Sequence, residues 1–181
     1  MKKYISIIFI LGFLMIFQNG FSQTQVDPKT IPEIVNNEDF SFRAERATPT
    51  NYDVINVMNS LPNTTSTRML DLAGSNYSID LRKDKLEVYL PYFGRVFNPS
   101  YGNTDKTGYR FTSKDFVVTN TQGKKGKWIV KIKVNDQSTV DEIYIEIFKN
   151  GRAFTSIKSN DRQPISYDGF ISKNIAEKEK L

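Results

Sequence analysis

Tyr77-Ser78-Ile79-Asp80-Leu81-Arg82-Lys83-Asp84-Lys85-Leu86-Glu87-Val88-Tyr89-Leu90 reads as one β-hairpin whose register follows from its own residues. Two-residue loops are the commonest hairpin connections, and Lys83-Asp84 fits that role. Closing there sets Leu81 opposite Leu86, Ile79 opposite Val88 and Tyr77 opposite Leu90. Side chains alternate along a strand, so all three pairs share one face. Ser78, Asp80, Glu87 and Tyr89 take the other. A slip of one residue would scatter the apolar set over both faces, which specifies the register strongly. Lys83 then needs φ > 0, less comfortable than Asn or Gly, and a slightly longer turn is the alternative.

The hairpin runs into Tyr89-Leu90-Pro91-Tyr92-Phe93-Gly94-Arg95, the start of the most aromatic region of the chain. Pro91 has no N–H for a ladder, so regular pairing should end there. Gly94 permits a backbone geometry closed to bulky residues. Tyr89, Tyr92, Phe93, Arg95, Phe97 and Tyr101 are the candidate ligand-binding residues. One reading makes them an aromatic rim with one arginine, able to stack on a ligand or hold an anion. The other makes them a small core, with Arg95 capping a loop and lying over a ring.

Leu90-Pro91-Tyr92-Phe93-Gly94-Arg95 resembles the central motif of domain-of-unknown-function family 4251, exported proteins typical of the Bacteroidetes. Ile165-Ser166-Tyr167-Asp168-Gly169 is similar to that family's closing motif, and Phe40 to Pro49 to its opening strand and proline. The resemblance spans about residues 38–171. Lys83 departs from the pattern, which has Gly before Asp84, and the departure bears on the turn type. The resemblance implies a β-rich exported domain and no particular activity.

Residues 1–22 have the parts of a signal peptide: Lys2 and Lys3, an apolar run from Ile7 to Phe17, and the small Ser22 before Gln23. That run is shorter than the roughly 20 residues a membrane span needs, so no transmembrane helix is expected after cleavage. The product would be periplasmic or secreted. The chain has no cysteine, which excludes a lipid anchor and any disulfide framework. Its formal net charge of +5 falls by two when Lys2 and Lys3 leave. That is too mild to argue for nucleic acid.

Residues 23–37 contain Pro28 and Pro32 and read as a flexible lead-in with one helical turn near Ile34. Residues 38–171 form the single β-rich domain and 172–181 a charged tail. Phe40, Phe42 and Ala44 alternate against Ser41, Arg43 and Glu45 in a strand that Pro49 stops. Tyr52 to Leu61 is spaced more nearly for a helix. Arg68 to Ala73, Gly108 to Ser113 and Phe116 to Thr121 read as strands. Asn63-Thr64-Thr65 and Asn76-Tyr77-Ser78 match the glycosylation pattern by chance. Trp128, Val130, Ile132 and Val134 alternate with Lys127, Ile129, Lys131 and Lys133. Asn150-Gly151 closes a hairpin of Glu142–Lys149 with Arg152–Ser159, placing Ile143, Ile145 and Ile147 with Phe154 on one face. Tyr144 and Phe148 join Ala153 and Ile157 on the other, with Glu146 expected to pair with Lys131 or Lys133. Tyr167 to Ile171 is a last short strand.

The fold class is therefore all-β with minor helix: about eight or nine antiparallel strands in a meander, curled into a barrel or folded as a two-layer sandwich. With neither histidine nor cysteine, Ser-His-Asp, Cys-His, His-zinc and thiolate sites are excluded. No catalytic residue, metal or cofactor is assigned. Asp105, Asp115, Asp161 and Asp168 could form a carboxylate site only on paper; solvated turns explain them better. Two functions remain. One is a non-catalytic binding module with a small apolar or amphipathic ligand in an aromatic-lined barrel mouth. The other is an interaction or structural module docking another envelope protein.

Overall fold

The computed structural model describes residues 26–60, 69–97 and 108–174. The leader, Asn63, Tyr101, Asp105 and the tail from 175 onward lie outside the described residues. A short helix α1 (Ile31–Asn36) precedes strand β1 (Phe40–Pro49), and helix α2 (Tyr52–Ser60) precedes the two-residue β2 (Leu70–Asp71). Then come β3 (Ser78–Leu81), β4 (Leu86–Pro91), β5 (Gly108–Ser113), β6 (Phe116–Gln122), a 3-10 turn (Lys124–Gly126), β7 (Trp128–Val134), β8 (Val140–Ile147), β9 (Arg152–Ser159) and β10 (Ile165–Ser172).

Nine of these strands form one antiparallel path in the order β5-β4-β3-β1-β10-β9-β8-β7-β6, with β2 beside β1. The path curls into a nearly closed barrel, which decides between barrel and sandwich. Hairpins link the neighbours except at β1–β3, β1–β10 and β4–β5. The β1–β10 pair therefore joins the amino-terminal strands to the carboxy-terminal ones.

The β3–β4 hairpin has the expected register, with Leu81 opposite Leu86 and Ile79 opposite Val88. Ile79, Leu81, Leu86, Val88 and Leu90 all face the barrel interior and are buried. Tyr77 lies one residue outside β3, and its ring meets Tyr89 at 5.2 Å. Neither Lys83 nor Asp84 has positive φ, contrary to the expectation for Lys83. The loop keeps ordinary backbone angles and closes with Arg82 N–H donating to the Lys85 carbonyl at 2.9 Å. A lysine can occupy such a turn where a left-handed one would favour glycine.

The β8–β9 hairpin corrects a register. Ile147 pairs with Ala153 rather than Phe154, because the connection spans Phe148 to Gly151 instead of two residues. Gly151 takes φ of +79°, and its N–H bonds to the Phe148 carbonyl at 2.9 Å. One residue of slip moves a whole strand's side chains to the other face. Ala153, Thr155 and Ile157 thus join Ile143, Ile145 and Ile147 inside, while Phe154 turns outward. Glu146 pairs with Lys127 (2.7 Å), not with Lys131 or Lys133. Those two lysines stand opposite Tyr144 and Glu142.

In β1, Phe40, Phe42 and Ala44 point inward as alternation requires. A bulge between Ala44 and Arg46 then shifts the phase, so that Ala47 and Pro49 are also buried. The lead-in contributes to the core from Val26 on: Ile31, Ile34 and Val35 of α1 are buried, and Asn120 of β6 donates to the Val35 carbonyl at 3.1 Å. Apolar burial orders this segment in spite of its prolines.

Helix α2 matches its spacing. Asn51 Oδ1 accepts from the Asp53 and Val54 N–H groups (2.8 and 3.2 Å), and Asn51 Nδ2 donates to Gln163 Oε1 at 2.7 Å. The cap thereby also ties α2 to the β9–β10 turn. Asn51→Ala is expected to cost about 1–2 kcal/mol in urea denaturation; a cost near zero would mean that the helix start is held by other contacts.

Candidate functional site

The mouth of the barrel is built where β4 ends. Pairing stops at Pro91, as its missing N–H demands, and the chain turns across the opening. Residues 95–97 meet the β9–β10 turn: Gln163 N–H donates to Arg95 O (3.0 Å), Phe97 N–H donates to Asp161 O (2.7 Å), and Val96 bridges Arg162. The Tyr92 hydroxyl lies within bonding distance of the carbonyls of Arg95 (2.9 Å) and Gln163 (3.1 Å). Gly94 is required for space, not for its φ: a Cβ there would stand 2.5 Å from the Tyr92 hydroxyl oxygen.

The arginine over the rings is Arg162. Its guanidinium carbon lies 5.0 Å from the Tyr92 ring centroid and 4.9 Å from that of Tyr109, and the two rings meet edge to face at 5.8 Å. Nε and Nη2 grip both carboxylate oxygens of Asp161 at 2.9 and 2.8 Å, while Nη1 donates to the Gly108 carbonyl at 3.2 Å. Arg162 is only 7% exposed, so this pair is largely desolvated. Hydrogen bonds from Arg162 hold the Asp161 carboxyl below its ordinary value against the opposing effect of burial. Tyr167 closes the floor, donating to the Pro91 carbonyl at 2.6 Å. Burial raises the Tyr109 hydroxyl well above its ordinary value.

The candidate residues are thus divided. Tyr92 and Phe93 pack against the core, Arg95 is exposed and contributes its carbonyl, and Phe97 is 53% exposed at the rim. Arg162 was not a candidate: it sits in the polar run Ser159-Asn160-Asp161-Arg162-Gln163, which has the composition of a solvated turn. Asp115 lies in the β5–β6 turn, Asp161 in the β9–β10 turn and Asp168 within β10; Asp115 accepts from Asn135 at 2.9 Å. Among the described residues, no three carboxylates cluster as for a metal.

Tyr89 faces the opposite way, onto the outer surface of β3, β4 and β5. A cavity of about 260 Å³ opens there, lined by Ser78, Asp80, Glu87, Tyr89, Arg110 and Thr112, together with Val88 and Phe111. The Arg110 guanidinium lies 4.5 Å from the centroid of the Tyr89 ring. Asp80 accepts hydrogen bonds from the Ser41 and Ser78 hydroxyls and stands 3.9 Å from Arg43. Glu87 is held by Arg82 and Lys85, each at 3.2 Å. The outward set of the hairpin therefore forms a polar groove with an aromatic wall. The alternation in 77–90 already groups four of its members, Ser78, Asp80, Glu87 and Tyr89; Arg110 and Thr112 join through the β4–β5 register, Tyr89 opposite Arg110 and Glu87 opposite Thr112.

No curated protein matches the sequence. Among solved structures, the chain is similar to the crystal structure of a DUF4251 family protein from Bacteroides eggerthii DSM 20697. The TM-score is 0.53 at 10% identity, over 82% of this chain and 89% of that one. At that identity the likeness speaks for the fold alone. The model of a domain of unknown function, DUF4251, matches residues 22–171, which carry the central and closing motifs. The chain belongs to the DUF4251 family.

Proposed function

We propose that the protein is a non-catalytic binding module, exported to the periplasm or beyond, that takes a polar ligand in the groove beside Tyr89. The observation that carries this reading is the groove itself: a concavity in which carboxylates, a guanidinium, hydroxyls and one half-exposed ring converge. Its volume falls just below the roughly 300 Å³ at which small-molecule pockets begin. A ligand would lie along the strands and make directional hydrogen bonds rather than sink into an apolar hole. Export rests on the charged and apolar parts of residues 1–22, and the absence of catalysis on a sequence without histidine or cysteine. Among the described residues no helix is long and apolar enough to cross a membrane.

A second reading keeps the ligand at the mouth, where Phe97 and Arg95 are exposed side by side beyond the Tyr92 cover. Native mass spectrometry on protein purified gently from its own host separates the two. The groove reading expects a discrete added mass that Tyr89→Ala abolishes and Phe97→Ala leaves in place. The reverse pattern would transfer the site to the mouth. A clean unliganded mass beside a co-purified protein would replace both with an envelope interaction module.

A further inference from the structure

The end of the barrel formed by the β6–β7 and β8–β9 turns carries a concentration of positive charge that the ligand groove does not use. The first turn reads Gln122-Gly123-Lys124-Lys125-Gly126-Lys127, the second Phe148-Lys149-Asn150-Gly151-Arg152. Neither contains an acidic residue. The turns lie against each other: a Cβ on Gly126 would stand 2.2 Å from Lys149 Cε. Two of the five cations are neutralised locally, Lys127 by Glu146 and Arg152 by Glu45. Lys124, Lys125 and Lys149 are exposed and hold no ion pair among the described residues.

Two details distinguish this end from a merely solvated turn. Lys125 has φ of +61° and Gly126 +70°, so the chain carries a lysine through the left-handed region, where non-glycine residues are uncommon. At the same end stands Phe148, 42% exposed at the tip of β8, preceding Lys149 and one step beyond the Trp128–Ile147 pair, therefore next to Lys127. An exposed apolar ring at an end that also carries three unpaired lysines is costly to leave in water, and its complement is a surface with apolar depth under negative charge.

We propose that this end docks on an anionic phospholipid bilayer, with Phe148 entering the headgroup boundary and Lys124, Lys125 and Lys149 lying over the lipid phosphates. Lysine is a compact point charge that suits a fluid array of phosphates, whereas planar bidentate recognition of one fixed group would favour arginine. The ring decides between a bilayer and a purely ionic polyanion, because a polyanion offers nothing for Phe148 to enter. The groove on β3–β5 lies on other strands, so bilayer docking and ligand binding are separable.

Cosedimentation with phosphatidylcholine vesicles, with and without about 30% phosphatidylglycerol, tests the proposal. The purified chain should bind the anionic vesicles and not the neutral ones, and binding should weaken steeply with salt. Lys124→Gln, Lys125→Gln and Lys149→Gln together should lower the anionic partition coefficient on the order of a hundredfold, from the usual contribution per surface lysine. Phe148→Ser should lower it several-fold and leave the salt dependence in place. Unchanged thermal unfolding of both variants confirms that the fold is intact. Equal partitioning of the triple variant and the parent would overturn the proposal. So would binding to heparin or DNA without binding to anionic vesicles, which would make the patch a polyanion site instead.

Discussion

Arg162→Ala is expected to lower the stability of the protein by about 3–5 kcal/mol, the range for breaking a buried ion pair from one side. The substitution removes three kinds of contact at once. Asp161 loses both charge-assisted hydrogen bonds, the Gly108 carbonyl loses its side-chain donor, and the Tyr92 and Tyr109 rings lose the cation between them. Asp161 keeps the Ser159 hydroxyl at 2.7 Å, which cannot replace a guanidinium for a carboxylate with only 13% side-chain exposure. Arg162→Lys should recover part of the loss, because it restores the charge but not the bidentate geometry. Urea denaturation at pH 7 measures both. The pH dependence supplies an independent sign. Asp161 has a depressed value in the folded protein, so its contribution is present above the unfolded carboxylate range, near 3.9, and is lost as pH falls through the folded value. The parent should therefore lose stability more steeply than Arg162→Ala on acidification below about pH 4. A cost under about 1 kcal/mol at pH 7, within the range of exposed pairs, would mean that backbone bonds alone hold the mouth closed.

That pair illustrates what was and was not legible in the sequence. Ile79, Leu81, Leu86 and Val88 announce their register because one face of the hairpin is buried and the other is not, so the alternation is written in residue type. Asn150-Gly151 is ambiguous in a way that 77–90 is not. Glycine with positive φ serves a two-residue turn and equally the last position of a longer loop, and both β8–β9 faces are apolar enough to accept either register. The bulge after Ala44 is invisible for a related reason: Ala44 and Ala47 are three apart, which breaks the period of two without a glycine or proline between them. The mouth is legible as aromatic with an arginine, but the sequence points to Arg95 where the structure uses Arg162. A buried arginine is identified by what lies around it, and Gly108, Tyr109 and Tyr92 reach Arg162 from 53 to 70 residues away in the chain. The Tyr89 groove stood halfway: the hairpin alternation placed Ser78, Asp80, Glu87 and Tyr89 on one face, and only the β5 register completed it.

Gly169→Ala should be at least as damaging as the loss of Arg162, by a different route. A Cβ on Gly169 would stand 1.9 Å from the Arg43 carbonyl oxygen, 2.9 Å from its carbon and 3.1 Å from Phe42 Cε2. The first two are backbone atoms and cannot rotate away as a flexible side chain would. Gly169 pairs with Ala44 at the residue where β1 begins its bulge, and the β1–β10 ladder is the one that joins the two halves of the barrel. Relief of the clash requires those strands to part, with loss of ladder hydrogen bonds and of the packing of Phe42 and Tyr167 on either side, both fully buried. The expected cost exceeds about 3 kcal/mol, above the usual range for overpacking because the obstacle is backbone. Gly74→Ala is the control. Its φ of +81° penalises alanine by about 1–2 kcal/mol, yet a Cβ there meets nothing within 4 Å. If the two variants unfold at the same urea concentration, the β1–β10 pair can slide to admit a methyl group, and its bulge is adjustable rather than set by the contact with Gly169. If Gly169→Ala alone collapses, the glycine of the closing motif is there because the two strands approach too closely for any side chain, and the barrel depends on that contact to close.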